Sequence, residues 1–127
     1  MAKKEFKYRG KTIEELKAMD MKQFMDIVPS RIRRSLKRGI TEQQKIVIEK
    51  VKRKSKNIET HCRDMVILPE MIGTTIKLHQ GKEFVPVMIT EEMLGHVIGE
   101  FVQTRKRVAH NAPGVGATRS SSSLSMK

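Results

Sequence analysis

The sequence predicts an α+β fold in which N-terminal helices pack with a small antiparallel β-sheet and a disordered basic C-terminal tail follows. In the first half of the chain, apolar residues recur at helical spacing behind residues that cap helices well. In the second half, the pattern alternates with a period of two, which is typical of a β-hairpin. The length of 127 residues fits one domain. We therefore expect a helical extension over 1–29, an α+β domain over 30–104 and a tail over 105–127.

The extension contains two short predicted helices. Thr12 is a good N-cap residue, and Glu15 stands three positions later, where it completes a capping box. Asp20 caps a second short helix, which Pro29 ends. The apolar residues of both helices recur every three or four positions. This pattern favours an amphipathic helical hairpin that packs on the body of the protein or on a partner.

Two further predicted helices are rich in cations. Ser30 opens the first of them, and Gly39 closes it as a C-cap residue. Thr41 and Gln44 form a capping box for the second, which is expected to run to about Lys54. Cations near a helix C-terminus are favourable by themselves, but the cluster here is larger than that effect requires.

A β-hairpin is predicted over about residues 74–89. Apolar and polar residues alternate on both sides of a short connection, in which Gly81 supplies the positive φ that a tight turn requires. Pro86 cannot donate a backbone hydrogen bond, so its strand should lie at the edge of the sheet or expose that position. A short helix is expected over 91–94. The second half therefore contributes the sheet of the α+β fold.

The positive charge is concentrated in two regions of the chain. The formal net charge is +12, which strains a compact domain by self-repulsion and is usually neutralised by a polyanion. Residues 31–56 contain eleven cations against Glu42 and Glu49, and residues 105–127 contain five cations and no acid. The tail cannot bury enough apolar surface to fold alone, so we expect it to be disordered until it meets RNA.

We expect these cations to contact RNA phosphates. The middle block supplies Arg31, Arg33, Arg34, Lys37, Arg38, Lys52, Arg53, Lys54 and Lys56. The tail supplies Arg105, Lys106, Arg107 and Arg119. Only five Phe and Tyr residues exist, which argues against a sheet that stacks bases, so recognition is expected through backbone phosphates and shape.

Several other classes of function lack support in the sequence. The charged N-terminus is not followed by an apolar stretch, so no signal peptide is expected, and no apolar run is long enough to span a membrane. Cys62 is the single cysteine, which fits a reducing cytosol and a cytoplasmic protein. The histidines are scattered, so we expect neither a metal site nor a cofactor. The pairs His61–Cys62 and Glu91–Glu92 do not form a catalytic constellation, so we expect neither an enzyme nor a small-molecule substrate.

Two alternatives use the same basic segment. The predicted helices over 30–38 and 41–54, with their short link, are compatible with a DNA-binding helix-turn-helix. In that motif, however, the base-reading side chains lie at the start of the second helix, whereas the cations here cluster at its end. A membrane-surface protein is the other alternative, but the apolar face is thin and the chain has no Trp.

A series of short stretches in the second half of the chain follows a distinctive order: Pro69-Glu70-Met71-Ile72-Gly73, Gln80-Gly81-Lys82, Val85-Pro86-Val87, Ile89-Thr90-Glu91-Glu92-Met93, Gly95-His96, Gly99-Glu100-Phe101 and Thr104-Arg105. In these stretches the chain resembles the small-subunit ribosomal protein nineteen family. Ser35-Leu36-Lys37-Arg38-Gly39 is similar to a segment near the family's N-terminus. The resemblance covers roughly residues 30–107. The preceding extension and the Asn-Ala-Pro-Gly-Val-Gly-Ala-Thr-Arg tail resemble the archaeal and eukaryotic branch.

The resemblance implies a structural constituent of the small ribosomal subunit, with an α+β body in the subunit head that binds the 3′ domain of the rRNA. It implies small-subunit ribosomal protein thirteen as a neighbour. It also implies a tail that reaches toward the decoding region and the tRNA in the acceptor site. Carried over to this sequence, His79, Gly81, Lys82, Thr104 and Arg105 are expected to lie near RNA.

Overall fold

The α+β class is confirmed by a computed structural model, which describes residues 5–109. Of the predicted disordered tail over 105–127, residues 110–127, Arg119 included, lie outside the described residues, as do residues 1–4. Three one-turn 3-10 helices lie at Pro69–Met71, Glu91–Met93 and Ile98–Phe101. The other elements are α1 (Ile13–Ala18), α2 (Met21–Ile27), α3 (Ser30–Lys37), α4 (Glu42–Lys52), β1 (Ile58–Thr60), β2 (Thr75–His79) and β3 (Phe84–Met88).

Both predicted capping boxes are confirmed. The Thr12 side chain accepts a hydrogen bond from the backbone N–H of Glu15, whose carboxylate accepts one from the Thr12 N–H at 3.1 Å. Thr41 and Gln44 form the same reciprocal pair at the start of α4. Each box supplies partners for backbone N–H groups that the first turn of a helix leaves free. These local contacts fix where α1 and α4 begin.

The helix α3 is closely joined to its neighbours on both sides. It follows α2 after Val28 and Pro29, and Pro29 is the N-cap residue with an extended backbone. Gly39 follows the end of α3 with φ +96, and its N–H donates to the Leu36 carbonyl at 3.1 Å. The prediction that Gly39 closes this helix is therefore confirmed.

The predicted hairpin is present, and a third strand joins it. The strands β2 and β3 pair antiparallel, with His79 opposite Phe84, and Gly81 in the connection has φ +114. The strand β1, which was not predicted, pairs parallel with β2, giving the order β1-β2-β3. The sheet is therefore mixed rather than purely antiparallel. Three residues are too few to show a period-two pattern, so β1 left no signal in the sequence.

The strand β3 lies at an edge of the sheet, as Pro86 predicted. Gln80 donates to the carbonyl of Glu83 at 3.0 Å, which makes them a hydrogen-bonded pair. Because such pairs alternate along an antiparallel ladder, Lys77–Pro86 is a non-hydrogen-bonded pair. The Pro86 nitrogen therefore faces the free edge, where the missing N–H costs no ladder bond.

One hydrophobic core joins the helices to one face of the sheet. From the sheet, Ile76 and Leu78 are fully buried; from the helical extension Val28 is fully buried as well, and Leu16 and Phe24 are almost as deeply buried. The extension therefore packs into the same core as the segment that follows it. Cys62 is buried too, where it packs as a small apolar side chain. Within residues 5–109, no helix combines the length and the hydropathy that a membrane span needs.

Candidate nucleic-acid interface

Helix α3 places its cations in solvent on one side of the core. Ile32 is buried, which fixes the orientation of the helix, whereas Arg31, Arg34 and Lys37 are exposed. Positions three and four apart lie on the same side of a helix. With Arg38 just beyond the last turn, the exposed residues give a strongly positive surface. We call Arg31, Arg34, Lys37 and Arg38 the α3 surface.

Arg33 differs from its neighbours because its guanidinium is bonded to the preceding helix. Its Nε donates to the carbonyl of Met25 at 2.8 Å, and Nη2 donates to the carbonyls of Asp26 at 2.9 Å and Val28 at 3.2 Å. These carbonyls end α2, where a helix has no partners of its own for them. Arg33 therefore caps α2, and its Nη1 is the group that these bonds leave for a phosphate.

The cations at the end of α4 are exposed, and two of them have acidic neighbours. Lys52 lies 3.6 Å from a carboxylate oxygen of Glu70, and Arg53 lies 3.8 Å from one of Glu49. Solvent-exposed ion pairs of this kind contribute about 0–1 kcal/mol, so a phosphate can displace the carboxylate. Lys54 and Lys56 are exposed and, within residues 5–109, take part in no ion pair. We call Lys52, Arg53, Lys54 and Lys56 the α4 surface.

The hairpin turn and the start of the tail meet in one cleft. This hairpin cleft has a volume of about 600 Å³. Five of the predicted site residues line it or lie at its rim: Gly81, Lys82, Thr104, Arg105 and Lys106. The Glu83 carboxylate also lies in the lining, where it accepts a hydrogen bond from Gln80 at 2.9 Å. Arg107 follows, exposed, beside the cleft lining.

Arg63 holds the two sides of the hairpin cleft together. Its Nη1 donates to the carbonyl of His79 at 2.9 Å, at the end of β2. Its Nη2 donates to the carbonyls of Gly99 at 2.9 Å and Val102 at 2.6 Å, just before the cleft residues 103–106. The Gly99 N–H in turn donates to the Arg63 carbonyl at 2.8 Å. The half-buried guanidinium thus ties the hairpin to the segment that leads into the tail.

Sequence reasoning did not single out Arg63. It is one of three cations in the otherwise acidic segment 57–104, and nothing local indicates that its partners lie 16, 36 and 39 residues away. Gly99 belongs to one of the stretches that carry the family resemblance. A Cβ at this position would lie 2.6 Å from the Arg63 carbonyl oxygen, so the close approach of the two segments requires glycine.

His79 projects from the exposed face of the sheet, and its ring supports the hairpin turn. Its Nδ1 accepts a hydrogen bond from the Gly81 N–H at 3.1 Å. Among the predicted site residues, His79 and Gly81 are thus in direct contact, and Lys82 is the next residue along the turn. The three basic regions lie on different elements: α3, the end of α4, and the hairpin with the start of the tail.

Within residues 5–109, no group of three His, Cys, Asp or Glu side chains is placed to hold a metal ion. The buried Cys62 lies 3.7 Å from the side-chain oxygen of Gln43, while its neighbour His61 is exposed. His96 Nδ1 lies 2.8 Å from a carboxylate oxygen of Glu100, in an exposed pair four residues apart in the sequence.

An α+β domain with exposed cations on two helices, a hairpin turn and the approach to a basic tail has the features of a protein that binds a nucleic-acid backbone. The comparison with known families agrees with that class. Residues 34–110 match the family described as Ribosomal protein S19, which is more than half of the 127 residues. The chain belongs to the ribosomal protein S19 family.

Membership of this family confirms the resemblance noted in the sequence and defines the role of the chain. It is a structural, ribonucleoprotein component of the small ribosomal subunit that binds rRNA and serves translation. The family is a structural rather than an enzymatic one. The matched region begins inside α3 and includes α4, the whole sheet and the hairpin cleft, whereas α1 and α2 precede it.

Proposed function

We propose that the chain binds the 3′ domain of the rRNA in the small-subunit head through three regions: the α3 surface, the α4 surface and the hairpin cleft. The observation that carries this proposal is the convergence in the hairpin cleft of two segments that are distant in sequence. Lys82 comes from one segment, and Arg105 and Lys106 come from the other. A concave basic surface can contact several phosphates of a folded RNA at once, whereas a scattered set of cations cannot.

The cleft is held in shape before RNA arrives, which favours tight binding. Arg63 fixes the two segments to each other through backbone carbonyls, so the positions of the cleft cations do not depend on a ligand. Pre-arranged groups lose less conformational entropy on binding. On the same reasoning, Thr104 supplies a hydroxyl and Gly81 allows close backbone approach at the cleft.

The finer parts of the proposal concern the ends of the chain. We propose that residues 105–127 form a basic tail that leaves the body at the hairpin cleft and approaches the decoding region and the acceptor-site tRNA, with Arg107 and Arg119 contacting RNA. Residues 30–104 would form the rRNA-binding domain and residues 1–29 an extension of it. Small-subunit ribosomal protein thirteen is the proposed neighbour. The site of action is the cytoplasmic ribosome. The family resemblance supports these assignments.

The competing DNA-binding interpretation finds less support in the described residues. At the start of α4, the exposed side chains of Glu42 and Gln43 carry no positive charge and Lys45 is the single cation of the first turn, whereas Lys50, Lys52 and Arg53 cluster at the other end. A recognition helix reads bases with the residues near its N-terminus, where an acidic side chain is repelled by phosphates. The α3–α4 pair therefore suits contact with a nucleic-acid backbone better than insertion into a major groove.

Salt-dependent binding of the full chain tests the proposal. The affinity for a 3′-domain rRNA fragment and for duplex DNA of equal length is measured between low and high salt. A triple variant, Lys82→Gln with Arg105→Gln and Lys106→Gln, removes the cleft cations. If each contacts one phosphate, the slope of log K against log salt falls by about 2–3 units, since one contact contributes roughly 0.7–0.9.

The matched control removes three exposed cations that lie outside the proposed regions: Lys7, Lys17 and Lys22. The control lowers the net charge by the same amount as the triple variant of the hairpin cleft. It therefore separates direct phosphate contact from the general electrostatic attraction between the protein and RNA. The control is expected to keep the wild-type slope. Equal losses in both variants, or a wild-type chain that binds duplex DNA as tightly as the rRNA fragment, would refute binding through the hairpin cleft.

A further inference from the structure

Three rings form a row across the exposed face of the sheet, at its hairpin end. His79 of β2 pairs with Phe84 of β3, and His61 follows β1 directly beside His79. The ring centroids are 4.4 Å apart for His61 and His79, 5.2 Å for His61 and Phe84, and 4.9 Å for His79 and Phe84. We call these three side chains the ring row.

The ring row is open to solvent although each member has the size of a core side chain. Phe84 is 36% exposed, His61 is exposed and His79 is half-buried. The two imidazole planes are inclined by 35°, and the phenyl plane stands at 78° and 69° to them. The rings are therefore arranged at an angle to one another on the surface. Part of their π faces and edges is exposed to solvent and is not packed in the core.

The position of the ring row is fixed by the same contacts that shape the hairpin cleft. The backbone carbonyl of His79 accepts a hydrogen bond from the Arg63 guanidinium, and the Nδ1 atom of the His79 ring accepts one from the Gly81 N–H. His79–Phe84 is a non-hydrogen-bonded pair, in which facing side chains approach most closely. His79 and Phe84 are thus held on two paired strands beside the turn that carries Lys82, and His61 lies next to them just after β1.

We infer that the ring row is a stacking site for an unpaired base of the rRNA, with the phosphates of that nucleotide or its neighbours directed to the hairpin cleft. This inference rests on the proposed function, which supplies the RNA at this surface. Proteins that hold single-stranded nucleic acid combine a basic groove with aromatic side chains on which bases stack. Here the row and the basic cleft adjoin at one end of the hairpin.

The inference departs from the expectation drawn from the sequence. Five Phe and Tyr residues were too few for a base-stacking sheet, but that count omits the imidazole rings, which stack bases as well. The alternative occupant is a protein partner, which Pro86 and Met88 on the same exposed face would suit. The basic residues beside the ring row favour RNA, and polar ring nitrogens suit the edges of a base better than an apolar protein surface.

The test uses the full chain and a 3′-domain rRNA fragment at fixed salt. Phe84→Leu keeps the apolar volume but removes the π face, and Phe84→Tyr keeps the face. The loss of one stacked base is expected to weaken binding about 5- to 150-fold in Phe84→Leu, with the salt slope unchanged. Phe84→Tyr should bind within about twofold of the wild type. Met88→Ala, an exposed change on the same strand, is the control and should have no effect.

A second variant and a footprint make the result independent of any one substitution. His61→Ala is expected to weaken binding in the same direction, and chemical probing should show one unpaired base protected by the wild type and exposed with Phe84→Leu. Urea denaturation checks that the variants remain folded. The inference would be overturned if Phe84→Leu bound the rRNA fragment with the affinity of the wild type. It would also be overturned if Phe84→Leu lost binding to a protein partner but kept its binding to RNA. A wild-type chain that does not bind the fragment would refute the proposed function as well, so the two failures are distinguishable.

Discussion

Replacement of Arg63 by Met provides the sharpest test of how the hairpin cleft is held together. Methionine keeps an unbranched apolar side chain over the inner part of the arginine but lacks the guanidinium, so it cannot donate to the carbonyls of His79, Gly99 and Val102. The three acceptors lie in a half-buried region where water replaces the lost donors only in part. The variant therefore leaves backbone acceptors with fewer partners, which is more costly than removing a donor and its acceptor together.

The expected loss of stability follows from the number and kind of these hydrogen bonds. Hydrogen bonds with a charged partner contribute about 1.5–3 kcal/mol each, and bonds from one group do not add in full. For a partly solvated set of three we expect a loss of about 2–5 kcal/mol. The whole free energy of unfolding of a domain is only about 5–15 kcal/mol. Arg63→Met should therefore be among the most damaging single changes at the surface.

Urea denaturation measures this loss directly. With a slope of about 2 kcal/mol per molar urea, the midpoint should fall by roughly 1–3 M while the slope stays constant. Arg63→Lys should lose less, because one ammonium retains some bonds but cannot reproduce the planar fork. Arg53→Met is the control, since that side chain is 78% exposed, and its loss should be below about 1 kcal/mol. A loss below 1 kcal/mol for Arg63→Met as well would refute the structural role of the guanidinium.

Three further predictions concern stability and binding. Gly99→Ala places a Cβ 2.6 Å from the Arg63 carbonyl oxygen, so it should destabilise the chain by about 1–3 kcal/mol, seen as a lower melting temperature; an unchanged temperature would contradict the close approach. Thr41→Ala removes one side of the α4 capping box and should cost about 0.5–2 kcal/mol in urea denaturation, whereas no loss would show that α4 does not depend on its cap. Arg33→Gln should lower both stability, by about 1–3 kcal/mol, and RNA affinity, because this residue caps α2. Arg34→Gln should lower RNA affinity alone, with stability within about 0.5 kcal/mol of the wild type, so equal destabilisation of both variants would contradict the capping role.

The parts of the fold that could be predicted are those that short stretches of sequence determine locally. A capping box joins residues three apart, so Thr12 and Thr41 indicated where α1 and α4 begin. The hairpin turn depends on Gly81 and on two adjacent strands. The strand β1 was missed because its three residues acquire strand geometry only by pairing with β2, which lies further along the chain. Its existence is a tertiary effect, and local propensity does not contain it.

The candidate site also has a part that the sequence could predict and a part that depends on tertiary contacts. Charge clustering identified the cations of α3, α4 and the tail, and the family resemblance identified the hairpin residues. Neither indicated that Lys82 and Arg105 line the same cleft, since that depends on long-range contacts through Arg63. The ring row was likewise invisible, because His61 and Phe84 are brought together by the order of the strands.

The arginines show why a count of cations does not measure the capacity to bind RNA. Arg33 and Arg63 each donate three hydrogen bonds to backbone carbonyls. Each of these arginines thereby joins two segments of the protein. Their contribution to RNA binding is then largely indirect, since they fix the backbone that presents neighbouring side chains. Lysine cannot replace them in this role, because an ammonium lacks the planar set of donors. Arg63 organises the surface and is not a proposed phosphate contact, whereas Arg33 caps α2 and keeps Nη1 for a phosphate, and the α3 surface is proposed to contact the polyanion directly. Substitutions of these kinds should differ in whether stability falls together with affinity.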